Sequence, residues 1–146
     1  MISPTSPLHL PYISPTSRLY LAYVSPISRP HLAGERGQLG HGDLENHKTP
    51  TPLLGLQGEE IGCVGAGEAH SLASSRDGRK VWAWGAGHYG QLGVGGLEPR
   101  LSPAPIEELE MKSITQVAAG ANHSGAVSEE GQVYMWGNGA NSRLSP

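Results

Sequence analysis

Gly37-Gln38-Leu39-Gly40 and Gly90-Gln91-Leu92-Gly93 are the same four residues written twice, 53 positions apart, and this echo decides the fold. Sliding Gly37–Gly78 onto Gly90–Gly131 pairs 42 positions with 19 identities, among them Leu56/Leu109, Ile61/Ile114, Val64/Val117, Gly67/Gly120, His70/His123 and Ser71/Ser124. Unrelated sequence of ordinary composition would give about three. Beyond Gly78 the register slips by one residue, so that Val81, Trp84 and Gly85 pair with Val133, Trp136 and Gly137, which places the slip at Arg79-Lys80. A turn absorbs one extra residue. Repeats of this length are structural units that stack, which ranks a binding surface ahead of an enzyme.

Composition agrees with that order. The 146 residues suffice for one domain, with 21 Gly, 12 Pro, no Phe, three Trp and a formal net charge of −3. Only Arg18 and Arg29 carry formal charge before residue 34, so residues 34–146 hold eight basic against thirteen acidic side chains. That balance disfavours nucleic acid and anionic membrane as partners, since both attract clustered Lys and Arg. The single cysteine, Cys63, sits in the apolar run Ile61–Val64 and reads as a buried strand thiol rather than a nucleophile. One thiol and no secretory signal place the chain in the cytoplasm or nucleus, not among secreted proteins.

Residues 1–33 are a different object, built on an eleven-residue repeat: ISPTSPLHLPY, ISPTSRLYLAY, VSPISRPHLAG, the last ending at Gly34. Proline breaks each unit, so neither a helix face nor a strand alternation fits, and the segment reads as disordered or extended. Its apolar stretch Leu19–Val24 is too short to cross a membrane. The Ser-Pro steps are candidates for phosphorylation or for a proline-reading domain, although a tail without selected function is the simpler reading.

Within 34–146 each unit reads as four short strands. The first unit offers Leu53-Leu54, Ile61–Val64, Ser71–Ala73 and Val81–Trp84; the second offers Pro105-Ile106, Ile114–Ala118, Ser124–Val127 and Val133–Trp136. Valine, isoleucine and aromatics fill the strands, while Gly, Asn and Asp fill the turns. Asp77-Gly78 and Glu130-Gly131 predict tight hairpins. The acidic stretch Ile106–Met111, entered from Pro105, is the only helical candidate. Four antiparallel strands recurring about every fifty residues describe a propeller blade. The fold expected is therefore all-β, a partial β-propeller of about two four-stranded antiparallel blades, at about 37–89 and 90–141, behind a disordered tail.

Three motifs recur in order: Gly-Gln-Leu-Gly at 37–40 and 90–93, Ala-Gly-x-x-His-Ser at 66–71 and 119–124, and Gly-x-Val-Tyr-x-Trp-Gly at 131–137. This set resembles the repeats of the regulator of chromosome condensation family, over residues 34–146. The resemblance implies a seven-bladed β-propeller, in a family that includes exchange factors for small Ran-type GTPases, chromatin-bound regulators, and propellers attached to ubiquitin ligases or kinases. Gly37, Gly40, His70, Trp84, Gly90, Gly93, His123 and Trp136 then mark the structural repeat motif. Polar side chains just before the motif histidine are the family's candidate contacts; here those positions are Ala69 and Asn122, and only Asn122 is chemically equipped. Glu68, His88 and Tyr89 complete the candidate partner-contact loops.

The departures from the family pattern carry their own expectation. Counting back from Gln38, the tryptophan of a preceding blade falls on His31; counting forward from Trp136, the next Gly-Gln-Leu-Gly falls on Ser142-Arg143-Leu144-Ser145. The pattern breaks at both sides, which reads as a truncated propeller of two repeats with bare blade faces, open to self-association.

Catalytic and metal signals are weaker than their structural explanations. Gly85-Ala86-Gly87-His88-Tyr89-Gly90 fits a GxGxxG dinucleotide pattern, but Gln-Leu-Gly-Val-Gly-Gly follows and cannot be the helix such a site needs. His41 and His47 lack a completing ligand set, and His70 and His123 recur one per blade, where each is expected to hydrogen-bond backbone near the start of its strand and hold the loop. Trp82, Trp84, Tyr134 and Trp136 read as blade packing. Asn122-His123-Ser124 fits a glycosylation sequon, yet its His-Ser pair already belongs to the repeat. No catalytic residue, metal or cofactor is expected. The expected function is a non-catalytic protein-interaction module. The alternatives are nucleotide exchange on a Ran-like GTPase and a truncated product without function.

Overall fold

The computed structural model describes residues 36–140, where seven strands form two antiparallel sheets and no α-helix occurs. β1 (Ile61–Ala66), β2 (His70–Ser75), β3 (Val81–Gly85) and β4 (Arg100–Pro105) pair in that order; β5 (Ile114–Ala119), β6 (His123–Ser128) and β7 (Val133–Gly137) form the second sheet. The Ser-Pro tail expected to be disordered, and the break at Ser142–Ser145, lie outside the described residues.

Two strand assignments need correction. Pro105-Ile106 does not open the second sheet: Pro105 ends β4, which pairs with β3 through Trp82↔Pro105 and Ala83↔Ala104 and so completes the first sheet. Leu53-Leu54 is not a strand either, because Leu54–Leu56 is a 3-10 turn entered from an extended Leu53. The reason is common to both. A strand needs a ladder partner, and the stretch equivalent to β4 in the first repeat has no described strand beside it. The acidic stretch after Pro105 holds only a 3-10 turn, Glu107–Leu109. The second sheet consequently has three described strands rather than four.

Both predicted hairpins form, and they place the slip of the repeat. The Ser75 N–H donates to Lys80 O across four intervening residues, whereas the Ser128 N–H donates to Gln132 O across three. The added residue is therefore taken up in the turn, with no disturbance of the ladders on either side.

Alternation along β3 decides which face meets which neighbour. Val81 and Ala83 join Leu72 of β2 in a core completed by Ile114, Val117 and Ala126 of the second sheet, with Tyr134 and Trp136 packed at its margin. Trp82 and Trp84 point the other way, into a core with Ile61, Ala73, Leu53 and Leu56. The spacing between sheets is uneven. β1 and β5 approach backbone to backbone, where a Cβ on Gly65 would stand 3.3 Å from the Ala118 Cα and one on Gly67 would strike the Gly120 carbonyl. Elsewhere in the same interface Leu92, Ile106 and Leu109 fill the space, each 3% exposed or less. Each such leucine or isoleucine withdrawn from water contributes roughly 1.5–3 kcal/mol. A gap that is narrow at one strand and packed with large side chains at another makes each sheet a wedge.

Candidate functional site

The Gly-Gln-Leu-Gly motif is a tight loop whose main chain is a docking point. Gly93 N–H donates to Gly90 O at 3.1 Å, and the Gln91 Oε1 accepts the Tyr89 N–H at 2.9 Å, so the glutamine side chain closes its own loop. The Gln91 carbonyl is left facing the second sheet. It accepts the Ser124 hydroxyl at 2.7 Å and the Trp136 indole N–H at 2.9 Å, using both lone pairs. The first repeat does the same: Gln38 O accepts from Ser71 Oγ at 2.8 Å and from Trp84 Nε1 at 2.9 Å. Glycine is required at the loop's end because Gly93 has φ +70° and a Cβ there would stand 2.7 Å from Trp136 Nε1; Gly40 meets Trp84 in the same way.

A second bond carries the link from sheet to sheet. His70, at the start of β2, places Nε2 at 2.8 Å from Ser124 Oγ in β6. The serine's only proton is committed to Gln91 O, so Ser124 accepts and His70 Nε2 donates, which assigns the neutral Nε2–H tautomer. Burial pushes the His70 pKa down to about 4, against a smaller raising effect from the His123 main chain. Sequence reasoning expected this ring to hold its own loop. Instead its partner belongs to the next repeat, because at this depth the nearest hydroxyl is across the gap. His123 occupies the equivalent place and makes no side-chain hydrogen bond among the described residues. Ser71, Ser124 and the carbonyls of Gln38 and Gln91 are the participants that sequence reasoning missed.

The four candidate contact residues fall on one rim. Glu68 lies in the β1–β2 turn and Asn122 in the β5–β6 turn, while His88 and Tyr89 follow β3. Because β2 and β3 run antiparallel, with His70 opposite Gly85 and the Ala86 N–H bonded to Ala69 O, the start of β2 and the end of β3 share an end of the sheet. Docking of Gln91 onto Ser124 brings the His88-Tyr89 loop to the matching end of the second sheet. Glu68, His88 and Tyr89 are exposed, Tyr89 at 53%, and Asn122 is half-buried. The opposite rim has a shallow cleft of about 280 Å³, lined by Trp82, Pro105, Glu107, Glu110 and the Lys80–Glu59 ion pair at 2.8 Å; none of the four candidates lines it.

The remaining chemical signals resolve structurally. Residues 85–93 form turns and loop rather than the helix of a dinucleotide site. His41 and His47 stack at 4.0 Å, with Asp43 3.7 Å from His47, and burial followed by His47 lowers the His41 pKa against the pull of Asp43. Among the described residues no group of three or more His, Cys, Asp or Glu is arranged to hold a metal ion. Cys63 is half-buried with its thiol 3.8 Å from Val117 O. No helix of the described residues is long and apolar enough to cross a membrane.

Wedge-shaped antiparallel sheets packed face to face, each receiving a glycine-rich loop from its predecessor, define a β-propeller repeat protein. Residues 33–74 and 78–127 match the regulator of chromosome condensation (RCC1) repeat, a second model of that repeat matches 63–91 and 114–143, and the chain belongs to this family. Its relatives include the ultraviolet-B receptor UVR8 of Arabidopsis thaliana, 43% identical over 111 residues that cover 76% of this chain and 25% of the relative. The E3 ubiquitin-protein ligase HERC2 of Homo sapiens is 42% identical over 113 residues, 76% of this chain but 2% of the ligase. Among solved structures, Prp20p from Saccharomyces cerevisiae, described with its binding properties to Gsp1p and histones, superposes with a TM-score of 0.66 and 27% identity over 77% of this chain and 30% of its own. The chain thus spans about a quarter of UVR8 and less than a third of Prp20p.

Proposed function

We propose that this chain is a non-catalytic protein-interaction module of the cytoplasm or nucleus whose contact surface is the rim carrying Glu68, His88, Tyr89 and Asn122. The observation that carries the reading is the anchoring of the His88-Tyr89 loop. Its exposed side chains stand next to a glutamine whose side chain closes the loop and whose carbonyl is bonded to two buried or half-buried groups of the next sheet. An exposed aromatic on a rigid support loses little entropy when a partner covers it. The partner class in view is a small GTPase of the Ran type or a histone, the two kinds of protein that Prp20p's description and the family resemblance suggest.

Calorimetric titration of the chain, and of its Tyr89→Ala variant, with a Ran-type GTPase in loaded and nucleotide-free forms and with histones tests this. Saturable binding weakened at least tenfold by the variant supports the rim; absence of binding to all three overturns it. Exchange activity is the second reading. It requires tighter binding to the nucleotide-free form than to the loaded one, so release of labelled nucleotide, with a complete seven-bladed relative as control, separates it from simple docking.

Self-association through the open blade face is a further element of the proposal, favoured by Val133 at 69% and Met135 at 48% exposure. Sedimentation velocity should show larger species that Met135→Glu disperses. A compact monomer for both proteins would refute it.

A further inference from the structure

The first sheet shows what closes the outer edge of a blade. β3 and β7 hold equivalent places, yet β3 is bonded on both sides and β7 only on one, by β6. In β3 the main chain of Val81 faces β4, since its carbonyl accepts the Ile106 N–H at 2.8 Å, and Ala83 pairs with Ala104. By strand alternation Val133, Met135 and Gly137 present the same groups on β7, and there they meet no strand among the described residues. An edge of that kind accepts an extended segment.

The sequence contains a segment written like β4. β4 reads Arg-Leu-Ser-Pro-Ala-Pro; Arg18–Tyr23 reads Arg-Leu-Tyr-Leu-Ala-Tyr, identical at the Arg, the Leu and the Ala. The likeness extends to composition around it, because the tail repeats Ile-Ser-Pro or Val-Ser-Pro three times where β4 has Leu101-Ser102-Pro103. Arg18–Tyr23 is also richer in aromatic and aliphatic strand formers than β4 and free of proline. We propose that Arg18–Tyr23 adds to β7 as the fourth strand of the second sheet, antiparallel, with Arg18 opposite Gly137 and Ala22 opposite Met135, as Arg100 and Ala104 stand opposite Gly85 and Ala83.

The span is feasible. Twelve residues separate Tyr23 from Arg36 and reach up to about 40 Å when extended. The path runs back along one strand, roughly 20 Å, and across one sheet spacing, about 10 Å. Placing alanine beside Met135 also matches a small side chain to a large one, where β3 and β4 set two alanines together.

Amide hydrogen exchange of the full chain, read by NMR at Met135, tests the pairing with an internal control. Ala22→Pro removes the donor that faces β7, whereas Leu21→Pro copies Pro103, a proline that β4 carries while paired. Exchange at Met135 should be about tenfold faster or more in Ala22→Pro, and in a chain lacking residues 1–33, than in the parent and in Leu21→Pro. Equal rates in all four proteins overturn the proposal. So does protection that disappears on removing residues 141–146 instead, which makes the C-terminal segment the occupant, or protection that depends on protein concentration and not on the tail, which makes a second copy the occupant.

Discussion

The two sheets are written with nearly the same motifs and live in different surroundings. β3 is buried along its whole length, with Val81 and Trp84 each 1% exposed, whereas β7 carries Val133 at 69% and leaves Trp136 half-buried. The first sheet is covered on one face by the second sheet and on the other by the Leu53 and Leu56 segment. The second sheet is covered on one face only. Burial in a repeat protein is thus conferred by the neighbour as much as by the residues of the repeat itself.

The sharpest way to break this comparison is to cut the same side chain from each sheet. Trp84→Ala should lower unfolding free energy by about 3–5 kcal/mol, as expected for a fully buried aromatic, while Trp136→Ala should cost about half as much because part of its ring is already in water. Urea denaturation followed by circular dichroism reads both; equal losses would show that the two sheets are energetically alike. A smaller effect should appear with pH. Native His70 has its pKa pushed down to about 4 from 6.5, so above pH 6.5 both native and unfolded chains are neutral at this site and its full contribution is present. As pH falls from about 6.5 to 4 the unfolded chain takes up the proton first, and stability should drop by about 2–3 kcal/mol before levelling off. His70→Gln should flatten that slope in melts across the range. An unchanged slope would place the titrating group elsewhere.

How much was readable in advance differs between the strands and the joints. The hairpins at Gly78 and Gly131, the buried tryptophans and the interruption of the repeat at Arg79-Lys80 all follow from local residue chemistry, and the residues announce them. β4 was hidden because Pro103 and Pro105 argue against a strand, and an edge strand is where prolines survive. Its partner also lies in the preceding repeat, so aligning one repeat with the other shows the likeness of 47–52 to 100–105 without showing that only one of them has a sheet to join. The His70–Ser124 bond was concealed by adjacency. Histidine and serine sit side by side in each repeat, which suggests a local pair, whereas the bond runs 54 residues, one period and one position, to the next serine. Nothing local distinguishes these two geometries, but the buried, polar character of both positions is what a bond across a joint demands. The candidate contact residues could be placed on turns from sequence, yet their gathering on a single rim required the docking of Gln91.

That histidine-to-serine handshake makes every joint chemically identical, since each repeat brings the donor for its successor and the acceptor for its predecessor. A gene built from such modules can gain or shed whole copies by unequal crossing-over and still present matching ends. The ancestry of the fold is then a matter of copying, with each new copy arriving already equipped to be recognised by the last.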